Sequence, residues 1–331
     1  MGENLTSFTE PAAVADTIPV RLRLLGITEL TDGESSFPVG DPLQSALLAV
    51  LALRANNRVG GEALAAALWD NPPRTALRQI QIKVWKLREL LNQAFPDEAP
   101  QSRPQIVNQA GGYLLLLEPS SIDLVFFDTC VKEARRAAAR GEFEEAARSY
   151  RKALSLWRGP AFEDIRPPEV SAPGIRAGAI TLQDHWIIVT EERVGTDLVL
   201  GRHHEVLGEL RSLVRAHPLR ERFRLHLIRA LGRVGRRQEA IATYQEGHRI
   251  LVQEHGLELG PDLTEAYRVV LARGPVNVGG TVHRSPVPGV VVPPRSRLPL
   301  IRAGHACAAE REHAARTMTD RAGVQTGVGT G

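Results

Sequence analysis

Arg74-Thr75-Ala76-Leu77-Arg78-Gln79-Ile80-Gln81-Ile82-Lys83-Val84-Trp85-Lys86-Leu87-Arg88-Glu89-Leu90-Leu91 is the stretch on which the reading of the chain turns. Ala76, Ile80, Val84, Leu87 and Leu91 recur in steps of four, four, three and four. That spacing predicts a helix with one buried stripe. Five of the eighteen residues are Arg or Lys and only Glu89 is acidic, a local charge of +4. A short basic helix on a small domain suits the major groove of DNA.

The residues before it predict the rest of a small DNA-binding module. Val20-Arg21-Leu22-Arg23-Leu24 alternates as a half-buried strand should, and Phe37-Pro38-Val39 suits an edge strand because Pro38 has no N–H to donate. A helix is expected from about Pro42 to Ala55, stopped at Asn56-Asn57, and a second from about Gly61 to Trp69. Asp70-Asn71-Pro72-Pro73 breaks it before the basic helix begins. After the helix, Gln105-Ile106-Val107 and Tyr113-Leu114-Leu115-Leu116-Leu117 flank a Gly-rich turn, the mark of a hairpin. Sheet, three helices and hairpin together predict a winged helix.

The expected DNA contacts follow from helix geometry. Arg78, Ile82 and Trp85 lie opposite the buried stripe, with Gln79, Lys83 and Lys86 on its flanks. Gln79 suits adenine, Lys83 and Lys86 suit guanine or phosphate, and Ile82 suits a thymine methyl. Thr75 is the expected N-cap, leaving Arg74 for phosphate. Trp85 is expected to pack on the wing or on a neighbouring protomer, and Trp69 in the core. The bland alternative, a basic helix face that only meets water, is outweighed by the flanking turn, strand and hairpin.

From about residue 120 the strands disappear. Gly141-Glu142-Phe143-Glu144-Glu145-Ala146, Gly201-Arg202-His203-His204-Glu205-Val206 and Gly235-Arg236-Arg237-Gln238-Glu239-Ala240 share one form. The last two begin 34 residues apart, the tetratricopeptide period, and the first lies 60 ahead. Each glycine is expected to end one helix of a hairpin, and Ala or Val to start the buried face of the next. Tyr150 and Tyr244 should fill grooves between hairpins. His217-Pro218 and Gly260-Pro261 are expected to end second helices, and Asp164 to Gly174 to cross as an extended loop before a helix from about Ile175 to Leu200.

The 331 residues thus divide into a flexible leader (1–19), an α+β winged helix-turn-helix domain (20–117), an all-α tetratricopeptide-like helical repeat domain (120–273) and a Pro/Gly-rich tail (274–331), largely disordered apart from a short helix around Ala306–Met318. A net charge of +3 excludes a histone-like polycation, so any DNA binding must be focused on one face. Cys130 and Cys307 form no disulfide or zinc framework, which suits a reducing cytosol. No apolar run reaches transmembrane length and residues 1–19 lack a signal peptide's pattern, so no membrane association is expected. His185, His203, His204 and His217 lack ligand spacing and are expected in turns and on the surface, not on a metal. No nucleotide-binding or nucleophile motif occurs, and neither an enzyme nor a cofactor is expected.

The ordered motifs resemble those of the Streptomyces antibiotic regulatory protein family, activators with an OmpR-like winged helix followed by a bacterial transcriptional activator domain. The resemblance rests on Arg21 to Gly26, Leu64 to Trp69, Pro72-Pro73-Arg74-Thr75-Ala76, Val84 to Leu91 and Gly112-Tyr113-Leu114-Leu115. It continues through Ala153 to Pro160, His217 to Arg222, Gly235-Arg236 and Glu254 to Pro261. It implies activation of a secondary-metabolite gene cluster, binding to promoter direct repeats, and recruitment of RNA polymerase by a homodimer or side-by-side protomers in the cytoplasm, on the nucleoid. It places helix contacts on Gln79, Gln81, Ile82, Lys83 and Lys86, wing contacts on Gln109 and Tyr113, and a polymerase-facing loop on Asp70, Asn71, Pro72 and Pro73 up to Arg74. Ile82-Lys83 stands where Thr-Tyr is usual, Trp85 where a small residue is usual, and Gln109 where Arg is common. These departures keep a second expectation open: a repeat-based protein-interaction adaptor with weak or lost DNA recognition.

Overall fold

The computed structural model describes residues 20–99, 103–166 and 170–272. The leader, the tail with Cys307 and its expected helix, and Pro167-Pro168 lie outside the described residues. The chain opens with an antiparallel sheet of β1 (Leu22–Arg23), β2 (Glu29–Thr31) and β3 (Ser36–Pro38), in the order β1-β2-β3, with Leu22 opposite Leu30 and Leu30 opposite Phe37. Pro38 does sit on the edge strand.

Helix α1 (Pro42–Ala52) starts under an Asp41 cap whose carboxylate accepts from the Gln44 N–H at 2.9 Å. Its chain then turns at Asn56, held left-handed (φ 61°) while its side-chain amide donates to the Leu117 carbonyl. α2 (Gly61–Leu68) and α3 (Ala76–Ala94) follow. The stripe Ala76, Ile80, Val84, Leu87 and Leu91 is buried in full. Trp69 is half-buried against the same core. The hairpin β5 (Gln105–Gln109) and β6 (Gly112–Leu116) carries a third strand, β4 (Val59–Gly60), in the order β4-β6-β5. β4 was not foreseen: two residues leave no alternation to read.

Three hairpins of helices succeed it: α4 (Asp123–Ala139) with α5 (Phe143–Leu154), α6 (Pro173–Val199) with α7 (His203–Ala216), and α8 (Glu221–Arg233) with α9 (Arg237–His248), then α10 (Pro261–Ala272). The glycine signature reads correctly. Gly141, Gly201 and Gly235 have φ of 79°, 81° and 79°, and the following N–H in each case returns to the carbonyl five residues back (Ala137, Asp197, Leu231). Ala146, Val206 and Ala240 are buried as the first core residues of the second helices. Tyr150 is buried, while Tyr244 stacks on Tyr267 with centroids 3.9 Å apart. Gly260-Pro261 opens α10 instead of ending a helix; α9 runs on through a π-helical segment, Arg249–Glu254.

The core does not respect the expected boundary near residue 118. One buried cluster runs from Leu22 through α1 to α5 as far as Val189 on α6, and a second fills the space among α6 to α10. The residues between Leu154 and Pro173 explain the irregular 60-residue spacing. The Arg158, Phe162 and Glu163 N–H groups donate to the carbonyls of Leu25, Leu24 and Gly26 at 2.9, 2.9 and 3.0 Å, and Ala172 donates to Leu68. The insert grips the N-terminal module.

Candidate nucleic-acid interface

The face of α3 turned away from its buried stripe carries Arg78, Gln81, Ile82, Trp85 and Lys86, all exposed. Arg78, Gln81 and Lys86 make no hydrogen bond or ion pair among the described residues. Ile82 and Trp85 are 48% and 61% exposed, beside Leu77 at 51%. Trp85 therefore packs neither in the core nor on the wing of its own chain. Large apolar side chains are left in water because the helix period spends the buried positions elsewhere.

Lys83 departs from its expected role. Its ammonium is 2.6 Å from the Asp41 carboxylate and its side chain is only 17% exposed, so it braces α3 against the cap of α1. Burial alone would raise the Asp41 carboxyl. The Lys83 hydrogen bond, the Gln44 N–H and the charges of Lys83 and Lys86 outweigh that and hold it below the usual carboxylate range. Thr75 stands at the N-cap position, but its hydroxyl does not cap. It accepts from the Gln79 side-chain amide at 3.0 Å, which leaves Gln79 half-buried and oriented. Arg74 is exposed in the turn, as are Asp70, Asn71, Pro72 and Pro73. The Asp70 N–H donates to the Ser171 hydroxyl at 3.0 Å, tying this turn to the inserted segment.

The wing is a two-residue turn, Gln109 paired with Gly112, with Ala110 and Gly111 both at positive φ (43° and 75°). Gln109 is exposed at its tip. Tyr113 is half-buried, opposite Val59 and against the core, so most of its ring is structural. A Cβ on Gly112 would meet the Val59 carbonyl oxygen at 2.3 Å, so only glycine admits this close approach of β4. Two arginines escaped sequence reasoning. Arg88 on α3 donates to the Ile106 carbonyl at 2.8 Å and the Asn108 side chain at 2.9 Å, fixing the wing to the helix. Arg58 is exposed and donates to the Ala110 carbonyl at 3.1 Å, which sets a positive charge at the wing tip. No pattern marks either one, since both act across strands and loops.

The histidines are not uniformly turn and surface residues. His185 meets Phe127 edge-on at 5.2 Å, and His217 lies between Trp186 and Phe223. Among the described residues no three His, Cys, Asp or Glu side chains are grouped to hold a metal ion, and no helix is long and apolar enough to cross a membrane.

Comparison with known proteins agrees with this architecture. Residues 122–271 match the bacterial transcriptional activator domain family. The chain is 32% identical over 233 residues to the regulatory protein DnrI of Streptomyces peucetius, covering 69% of this chain and 84% of that one. It is 33% identical over 262 residues to the regulatory protein AfsR of Streptomyces griseus, covering 79% of this chain but only 25% of AfsR. The chain thus spans about a quarter of the AfsR relatives. Among solved structures, Mycobacterium tuberculosis EmbR in complex with a low affinity phosphopeptide aligns with a TM-score of 0.67 and 31% identity, over 78% of this chain and 66% of that one. These relatives are named as regulators, not as enzymes. With a winged helix followed by an activator domain of helical repeats, the chain belongs to the Streptomyces antibiotic regulatory protein family.

Proposed function

We propose that the protein is a sequence-specific transcriptional activator of a secondary-metabolite gene cluster. α3 enters the major groove of promoter DNA and the β5–β6 wing follows the adjacent backbone. Arg78, Gln81, Ile82 and Lys86 meet the duplex, Arg74 and Gln109 meet phosphate, and Gln79, held by Thr75, points a side-chain amide at the groove edge. Protomers lie side by side on direct repeats, where linkage multiplies a modest affinity for one site. The turn Asp70–Arg74 faces RNA polymerase, and the protein works in the cytoplasm on the nucleoid.

The observation that carries this reading is the outer side of α3: cationic, unpaired and flanked by a wing that Arg88 holds in place. A gel-shift titration and footprint on the promoters beside its own gene test it. The expected result is protection of repeated sites spaced by whole helical turns of DNA, about 10–11 base pairs or multiples. Retention no better than on random duplex would overturn it. The exposed Ile82 and Trp85 would then favour the rival reading, an adaptor that works through its repeats.

A further inference from the structure

A second concentration of positive charge lies far along the chain from α3. Residues 211–237 contain nine arginines and one acidic residue, Glu221, a local charge of +8 in a chain whose total is +3. Several of these arginines are structural. Arg224 is buried and donates to the carbonyls of Thr243 and Pro218, Arg237 donates to the Leu271 carbonyl, and Arg211 and Arg236 share Glu239. Arg220 pairs with Asp184 and Arg215 reaches the Ser212 hydroxyl, which leaves Arg222, Arg229 and Arg233 as a surface. On α8 the only exposed residues are Arg222, Arg229 and Arg233, and the six residues from Phe223 to Ile228 are all buried.

Steps of seven and four keep the three positions within about 40° of one another around the helix, so the three guanidinium groups line one stripe about 16 Å long. α8 packs chiefly against α9 and α7, then against α10, which closes the stack, and against α6. Arg222 approaches Glu191 of α6 only to 3.9 Å, and Arg229 and Arg233 have no hydrogen bond or ion pair among the described residues. Isolated surface arginines are ordinary. A whole solvent face of one helix made of arginine, with three in register, is not required by the packing, which is complete beneath it.

We infer that this stripe is a docking site for an acidic helical segment of a partner protein. The occupant follows from charge complementarity. Guanidinium groups bind carboxylates in planar pairs, and three in register over about three turns match carboxylates repeated at the same steps on a second helix. A duplex suits the stripe less well. The buried Glu191 already lies 3.9 Å from Arg222, and the charge of Asp262 acts on Arg229, so the stripe offers a polyphosphate less than three full charges. An acidic peptide meets the guanidinium groups one carboxylate at a time.

The test uses the full chain and a labelled, alanine-based helical peptide of about 18 residues with Glu at three positions seven and four apart, read by fluorescence anisotropy. A peptide with Gln at those positions is the control. The Glu peptide is expected to bind and the Gln peptide not to. Arg222→Gln, Arg229→Gln and Arg233→Gln together should weaken binding by about tenfold or more and leave promoter binding unchanged. Arg222→Glu, Arg229→Glu and Arg233→Glu together should lose the Glu peptide and take up its Lys counterpart. Equal binding of the Glu and Gln peptides, or binding indifferent to the triple variants, would overturn the proposal. So would a random duplex that binds the chain and loses its affinity in the Gln triple, which would reassign the stripe to nucleic acid. A chain that binds the Glu peptide and no promoter would sink the activator reading and leave this one standing.

Discussion

Lys83 and Lys86 are three residues apart on one helix and have the same charge, yet their surroundings give them different work. Lys86 is exposed and unpaired; Lys83 is bound to the carboxylate that also caps α1. Under the activator reading, Lys86→Ala should weaken binding similarly on all duplexes and lower the slope of log affinity against log salt by about one ion. Lys83→Ala should change that slope little and cost about 1 kcal/mol of stability, because a partly buried carboxylate loses its partner. Equal slope changes in the two variants would show that Lys83 leaves Asp41 on binding. The Asp41 carboxyl is held below its ordinary value, so its contribution to stability is present above that ordinary value and is lost as pH falls through the folded one. Asp41→Asn should therefore flatten the acid limb of the melting curve. Ala110 carries a different strain. It sits at φ 43° in a turn that prefers Asn-Gly, and a side chain without a polar group gains nothing there. Ala110→Asn should raise stability by about 1 kcal/mol in thermal melts, and an unchanged melting temperature would mean that the strain is absorbed elsewhere.

Helix α6 shows at the next scale where periodicity stops being informative. Its later turns bury Thr190, Glu191, Glu192, Arg193, Thr196 and Asp197, residues that a pattern of apolar positions assigns to solvent. The two threonines return their hydroxyls to carbonyls of α6 itself, and the charged residues are inside because partners on α6 and on other elements meet them. Arg135 and the Tyr150 hydroxyl donate to Glu192, and Arg151, Arg193 and Arg202 converge on Asp197. The basic helix was legible for the opposite reason: its stripe packs on neighbours through apolar contacts alone, so the 3.6-residue period records it in full. The hairpin glycines were legible because a left-handed residue leaves a mark that no side-chain partner can erase. At the seam between α6 and α8, His226 is buried opposite Gly195, and neither ring nitrogen makes a well-aligned hydrogen bond, the Glu191 backbone carbonyl being the polar group that acts on the ring. Burial, helped by the charges of Arg222 and Arg229, pushes its imidazolium down to about 3. The unfolded chain takes up that proton near pH 6.5 and the folded one does not, so stability is lost as pH falls from about 6.5 toward 3. His226→Leu removes the titration and the poorly satisfied nitrogens. It should stabilise the protein at neutral pH and by about 2 kcal/mol more at pH 5, since 1.5 units of that window have then been crossed. A variant whose advantage is the same at both values would place the acid sensitivity in another group.

For the molecule as a whole, the decisive fact is that the winged-helix module and the repeats share a core. The chain between the first and second hairpins spends its backbone donors on Leu24, Leu25 and Gly26, and Thr28 donates through both N–H and hydroxyl to Asp164 at 2.9 Å. An aromatic series, Phe127, Trp157, Trp186, His217 and Phe223, runs from the first hairpin to the third. The sequence hides this union because its backbone and carboxylate contacts join residues about a hundred or more positions apart and repeat with no period. Asp123, at the start of α4, is the point where the two parts are joined most directly. Its buried carboxylate accepts from the Leu24 N–H at 2.8 Å and the Leu25 N–H at 2.9 Å, and Arg158 stands 4.0 Å away. Burial pushes the carboxyl up to about 6, against the pull of those amides and of Arg158. Asp123→Ala would leave two buried N–H groups unmet, a cost of about 2–4 kcal/mol. The loss should be local before it is global. Amides of β1 and β2 should exchange hydrogen faster while those of α8 and α9 keep their protection, because the second buried cluster does not involve Asp123. If α3 is held in orientation through this joint, promoter sites in tandem should lose more affinity than a single site, since only paired occupancy depends on where each protomer directs its neighbour. Uniform acceleration of exchange throughout the chain would instead mean that the two clusters unfold as one, and equal loss on single and tandem sites would mean that the joint supports the fold without orienting the helix.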